Sequence, residues 1–298
     1  MLFGIEGCGK SLATMEIASR VDATVWVIDN DNAWERMLEG TTLAGESVGL
    51  AEEWYWAPSS RNAEGGVYES SDKWVEDGGN VVVFHCEGWE GNVAAIREIA
   101  RRANVDDWWL LDTGSVVWAN VQEYFTSKVF DASMADYFLK VRMEKQQANT
   151  LGKSLSALDG WVDWSVINPL YKDKVAKFLV NPPCNLIVIT EQAEVSSDDK
   201  DKETLGLYSG FGVKPTGQKR LGHQMQTVIQ LRRDRLDNYF ATTIKDRGGR
   251  ERLLNQNVTD VGFAEWYLEG VGGWVEENTE PEPPPPTVAS TKGRSKGS

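Results

Sequence analysis

Residues 4–11 read Gly-Ile-Glu-Gly-Cys-Gly-Lys-Ser, a complete G-x-x-x-x-G-K-S, and no other stretch restricts the fold so strongly. Glycines at this spacing let a backbone turn sharply and aim several N–H groups at one point, and a helix beginning at the lysine adds the positive end of its dipole. Such a loop cradles phosphates. The pattern predicts that Gly4, Glu6, Gly7, Cys8, Gly9, Lys10, Ser11 and Leu12 surround a nucleoside triphosphate, that Lys10 reaches its β- and γ-phosphates, and that Ser11 ligates Mg²⁺. Apolar Leu2-Phe3 precede the loop as a strand would, and Leu12 to Arg20 carry a helical apolar pattern after it.

A strand, a phosphate loop and a helix in this order belong to α/β proteins, and the rest of the chain repeats the form. Ala23–Ile28, Asn80–Cys86, Trp108–Leu111 and Asn185–Thr190 are short β-rich runs, each ending in polar residues and separated by helical patterns. Buried parallel strands read this way. With the strand before the loop they make five, which predict a doubly wound, mostly parallel sheet with helices on both faces and ligands at the carboxyl ends of the strands. Ser115–Ala148 reads as one long or broken helix, and Trp164–Val180 as another. From Thr227 to Asp246 the pattern alternates around a polar turn, which predicts an antiparallel β-hairpin extending the sheet. The domain expected is 1–274, with an insertion at 40–79 whose structure the sequence leaves open. A Pro/Glu-rich segment, 275–298, reads as a disordered tail.

Composition narrows the chemistry. Cys8, Cys86 and Cys184 are far apart and only His85 and His223 could add nitrogen ligands, which argues against a zinc site or a disulfide framework. No run approaches the roughly eighteen apolar residues of a membrane span, and the start has no charged-then-apolar leader, so a cytoplasmic protein is expected. Trp108 and Trp109 read as core, as do most of the thirteen tryptophans, although Trp54, Trp56 and Trp89 could also stack on bases. A net charge of −14 would repel nucleic acid if evenly spread. It is not even: Lys214, Lys219, Arg220, Arg232, Arg233 and Arg235 lie in a segment with Asp234 as the acidic neighbour, the footprint of a nucleic-acid contact.

Hydrolysis requires more than the loop: a metal-side carboxylate, a group that orients water, and positive charge on the γ-phosphate. Asp112, closing Trp108–Leu111, suits the first role. Here the order of motifs resembles a RecA-type recombinase core, and more closely the RecA-like single-strand annealing ATPases of bacteriophages, over roughly residues 1–270. The resemblance implies that Asp31, in Val27-Ile28-Asp29-Asn30-Asp31, activates water. Asp31 is one methylene shorter than the family's glutamate, and Glu87 stands in reserve. It also implies that Asp112-Thr113 is the metal-side motif, that Gln192 senses the γ-phosphate, and that Ser196–Lys214 is a mobile DNA-binding loop, although Asp198, Asp199, Asp201 and Glu203 weaken its hold on phosphate. Lys245-Asp246-Arg247 resembles a K-x-R finger, whose two cations share one face of a strand and act on the γ-phosphate of a neighbouring subunit.

The function implied is an ATP- and Mg²⁺-dependent ATPase, stimulated by DNA, that binds single-stranded DNA as a ring or filament and promotes annealing or strand exchange, with a single-strand-binding protein as a further partner. Two other readings use the same core: a motor that packages duplex DNA, and a nucleotide-binding regulator that docks a protein through its tryptophan-rich insertion.

Overall fold

The computed structural model describes residues 1–34, 42–44, 51–56, 80–147, 158, 162–196, 201–248 and 256–277. Six parallel strands form its centre, in the order β9 (Thr227–Arg233), β1 (Leu2–Gly4), β7 (Asn185–Glu194), β6 (Trp108–Asp112), β2 (Val25–Asp29) and β5 (Val81–Cys86). Beyond β5 the sheet continues antiparallel through β4 (Ala51–Trp56) and β3 (Thr42–Ala44). Beyond β9 it continues through β10 (Tyr239–Asp246) and β11 (Gln256–Asn257), while β8 (Val213–Pro215) pairs with the far end of β7.

The central strands are buried on both faces because their residues alternate between two apolar layers. On β2, Val25 and Val27 join one layer and Trp26 and Ile28 the other; on β1, Leu2 and Phe3 divide the same way. The first layer is closed by α1 (Lys10–Arg20) and α9 (Phe263–Glu277), through Ala13, Ile17, Phe263 and Trp266. The second is closed by α2 (Gly88–Arg102), α3 (Gly114–Phe130) and α5 (Trp164–Tyr171). On α2 the apolar residues Trp89, Val93, Ile96 and Ile99 recur at helical spacing and all are buried. Fully burying one such aliphatic side chain contributes roughly 1.5–3 kcal/mol, so a sheet covered on both faces fixes its strand order firmly.

The helical run after β6 breaks where Asp131 turns to φ 50°, and α4 (Met134–Gln147) follows. After α5 the chain passes through a π-helical turn, Lys172–Ala176, into α6 (Lys177–Val180). Of the expected loop Ser196–Lys214, residues 197–200, with Asp198 and Asp199, lie outside the described ones. Its described part holds α7 (Lys202–Tyr208), capped by the Asp201 carboxylate on the Glu203 N–H, and the start of β8. Of the 40–79 insertion, β3 and β4 belong to the sheet edge. Helix α9 runs past the expected boundary at 275, and residues 278–298 lie outside the described ones. Trp89, Trp108 and Trp109 are buried core, whereas the side chains of Trp54 and Trp56 lie outside the described part. No helix among the described residues is long and apolar enough to cross a membrane.

Candidate active site at the phosphate loop

Strand β1 delivers the chain directly into the loop, and each glycine there answers a different need. A Cβ on Gly4 would collide with the Leu231 carbonyl oxygen of the adjoining strand and lie 2.6 Å from the Cys8 sulfur. Gly7 and Gly9 hold φ of 73° and 85°, which glycine adopts without penalty. Cys8, at one of the motif's variable positions, is 1% exposed and packs the loop inward. Lys10 begins α1 and folds its ammonium back over the loop, donating to the Gly4 carbonyl at 3.1 Å and the Ile5 carbonyl at 2.8 Å. No side chain caps the N-terminus of α1, and its first turn has no acidic residue. Its free N–H groups and dipole therefore suit an anion. Glu6 is exposed and Leu12 half-exposed beside them.

Asp112 comes to the loop from a strand two places away. Its Oδ2 accepts a 2.6 Å hydrogen bond from the Ser11 hydroxyl, joining residues 101 positions apart. Its Oδ1 is buried and has no hydrogen-bond partner. Burial pushes this carboxyl up to about 6, against the opposing pull of Ser11. A buried carboxylate oxygen without a proton donor, next to a serine hydroxyl, has the donor chemistry of a Mg²⁺ site; that ion keeps several waters and takes one or two protein oxygens plus phosphate. Ser11 and Asp112 thus fit the roles that the motif gives them. Thr113, after a cis Asp112–Thr113 peptide, caps α3 by accepting from the Val116 N–H.

Asp29 is the residue that sequence reading missed. It closes β2, sits in register beside Asp112 and is 1% exposed. Burial first, and then the charges of Asp112 and Asp31, raise its carboxyl from 3.8 to about 7. Its two oxygens accept from the Ala33 and Trp34 N–H groups, which fixes the turn after the strand. Asp31 lies exposed on that turn, with Oδ1 also accepting from the Ala33 N–H. Asp29 therefore holds the turn and Asp31 rides on its solvent side. Glu87 is exposed at the start of α2, beyond β5, one strand farther from the loop.

Gln192 extends β7 beyond the sheet, between the strand of the loop and the strand of Asp112, and its Oε1 accepts from Gln230 Nε2 at 2.9 Å. Lys245 and Arg247 lie elsewhere. Lys245 pairs in register with Val228 at the start of β9, which runs parallel to β1, so both cations sit at the sheet edge opposite the loop. The Lys245 ammonium donates to the carbonyls of Gly222, His223 and Met225 around the short helix α8 (Leu221–Gln224), and burial lowers it to about 8. Arg247 is exposed and donates to the His223 carbonyl at 2.8 Å. Neither can reach the loop of its own chain.

The six basic residues divide among three places. Lys214 pairs with Ala193 across from the Gln192 strand end. Lys219 and Arg220 lie between β8 and α8, and Arg232, Arg233 and Arg235 crown the β9–β10 turn. That turn stands beside the phosphate loop: Leu231 touches Gly4, Tyr239 touches Gly9, and the Arg233 guanidinium lies 5.5 Å from the Tyr239 ring centre. Asp234 is not their sole acidic neighbour, because the turn folds Asp237 back onto Arg233 at 2.9 Å. The exposed pair is weak and leaves the cations open to other anions. Tyr239 and Gln230 gave no signal in sequence beyond opening or occupying a strand. Compared with protein-family models and with curated proteins, the chain matches none.

Proposed function

We propose that this chain is a RecA-like ATPase of the bacteriophage recombination type, which binds ATP with Mg²⁺ at the phosphate loop, binds single-stranded DNA, and promotes annealing or strand exchange as an oligomer. The observation that carries the reading is the Ser11–Asp112 hydrogen bond. It brings the loop hydroxyl and a strand-end carboxylate to one point beside Lys10, which is the arrangement phosphoryl transfer needs. Bound Mg²⁺ would supply charge neutralisation at the β- and γ-phosphates, held by Ser11 and Asp112.

The chain's own groups divide the remaining work. The loop N–H groups and the α1 dipole bind the phosphates, and Lys10 places its charge on them. Asp31 orients the attacking water and takes its proton, on a turn held by Asp29. Gln192, beside the loop strand, hydrogen-bonds the γ-phosphate or that water. The finger cations do not serve the loop of their own chain, because Lys245 and Arg247 lie at the opposite edge. Head-to-tail stacking would bring the finger edge of one copy against the loop edge of the next, and a contact of that kind closes into a ring or propagates as a filament.

The test is the ATPase rate of the full chain with and without single-stranded DNA, together with native mass over a range of protein concentrations. Stimulation by single strands and growth of the assembly with ATP are expected, and Lys10→Ala abolishes turnover. A chain that stays monomeric and inert with ATP and DNA overturns the reading.

A further inference from the structure

Away from the phosphate loop, a cleft of about 960 Å³ opens between α3, α5 and the segment that joins β8 to α8. One wall is aromatic. Trp118 and Trp164 stack with ring centres 5.9 Å apart and planes within 14°, and both are partly exposed. Tyr171 meets Trp118 edge-on at 5.0 Å; it is 2% exposed, and its hydroxyl has no hydrogen-bond partner. The rim is cationic, with Lys172, Lys219 and Arg220 all exposed; among the described residues that line the cleft, Asp201 is the one acidic member. In a chain of net charge −14 this is a local reversal of sign.

Aromatic surface beside exposed cations suits a nucleobase attached to a phosphate: the ring stacks without regard to sequence, and the charges hold the backbone. The volume falls within the range of built ligand sites, and Tyr171 lines it. We propose that this cleft is where single-stranded nucleic acid is held, with bases against Trp118 and Trp164 and phosphates against Lys172, Lys219 and Arg220. The inference rests on the reading of the chain as a single-strand binder and gives that strand a place. The place is joined to the ATPase centre. Thr216 donates its backbone N–H to the Glu191 carbonyl, next to Gln192, and Gly217 packs on Ser115 just after the Asp112 strand. A strand drawing on Lys219 and Arg220 therefore pulls on a segment pinned between both catalytic strand ends.

Fluorescence anisotropy of a labelled oligothymidylate tests this on the full chain. Trp164→Ala weakens binding about tenfold, the effect of losing one stacked base, and Trp164→Phe retains most of the affinity. Arg220→Glu, at an exposed position, also weakens binding and makes it less steeply dependent on salt. Thermal melts monitored by circular dichroism verify that each variant folds. Full affinity in folded Trp164→Ala and Arg220→Glu overturns the proposal, as does an unmodified chain that binds no oligothymidylate. Thymidine monophosphate competing as well as the oligomer, per nucleotide, also overturns it, by assigning the cleft to a free nucleotide. Binding of a fluorescent ATP analogue by the unmodified chain reads the phosphate loop separately, so its failure defeats the ATPase reading while the Trp164 result still decides the cleft.

Discussion

Replacing Ser11 by alanine removes one oxygen and strands another. The Asp112 carboxylate is 1% exposed, its Oδ1 already lacks a partner, and its Oδ2 relies on the Ser11 hydroxyl at 2.6 Å. A hydrogen bond to a charged group contributes about 1.5–3 kcal/mol, and a buried carboxylate left without one suffers the desolvation in full. Ser11→Ala is therefore expected to lower the free energy of unfolding by about 2 kcal/mol at pH 8. The loss should shrink near pH 5, because Asp112, raised to about 6, is then protonated in the folded protein. Urea titrations at the two pH values measure it. Ser11→Thr keeps the hydroxyl, is compatible with the motif, and should restore both stability and magnesium-dependent turnover. If Ser11→Ala is as stable as the unmodified chain at pH 8, or if threonine is as damaging as alanine, the Ser11–Asp112 link does not organise the site.

Asp29→Asn should flatten the dependence of stability on pH between 5 and 7 in metal-free buffer, although its amide, with one acceptor oxygen, keeps only one of the two backbone N–H bonds that hold the turn. The Asp29 carboxyl has a folded value of about 7 against an ordinary 3.8, so the folded state binds the extra proton and the stability of the unmodified chain falls as pH rises from 5 to 7, by about 1.4 kcal/mol per unit; melting curves that run parallel for the two proteins across this range would refute it. Gly4→Ala should destabilise by about 1–3 kcal/mol in chemical denaturation, because the new methyl meets backbone of β9 that cannot swing aside, and an unchanged midpoint would count against the packing described. Asp31→Asn should spare binding of a fluorescent ATP analogue while removing most hydrolysis, and retained turnover would pass the role to Glu87. Arg247→Ala should regain part of its lost turnover when mixed with Lys10→Ala, since each supplies what the other lacks across an interface; no rescue would assign Arg247 a role within its own chain.

Local pattern determined much of this protein. The spacing of glycines, lysine and serine specified a tight turn from strand to helix, and the apolar runs ending in polar residues specified parallel strands, because hydrogen bonding and burial act on neighbouring residues that any reader can count. Sequence also located Asp112, since a strand that ends in a carboxylate delivers it to the carboxyl edge. The order of the strands was not legible in this way, for it depends on which apolar face meets which helix. That order inserts β7 between the loop and Asp112, carrying Gln192 there, and sends Lys245 and Arg247 to the opposite edge. The end of the β2 ladder likewise decided between Asp29 and Asp31: both read as acidic residues at a strand end, but only Asp29 is still paired, in register with Asp112, and buried. The aromatic cleft is the clearest tertiary product, because Trp118, Trp164 and Arg220 lie on three separate elements and meet only when the helices settle on the sheet.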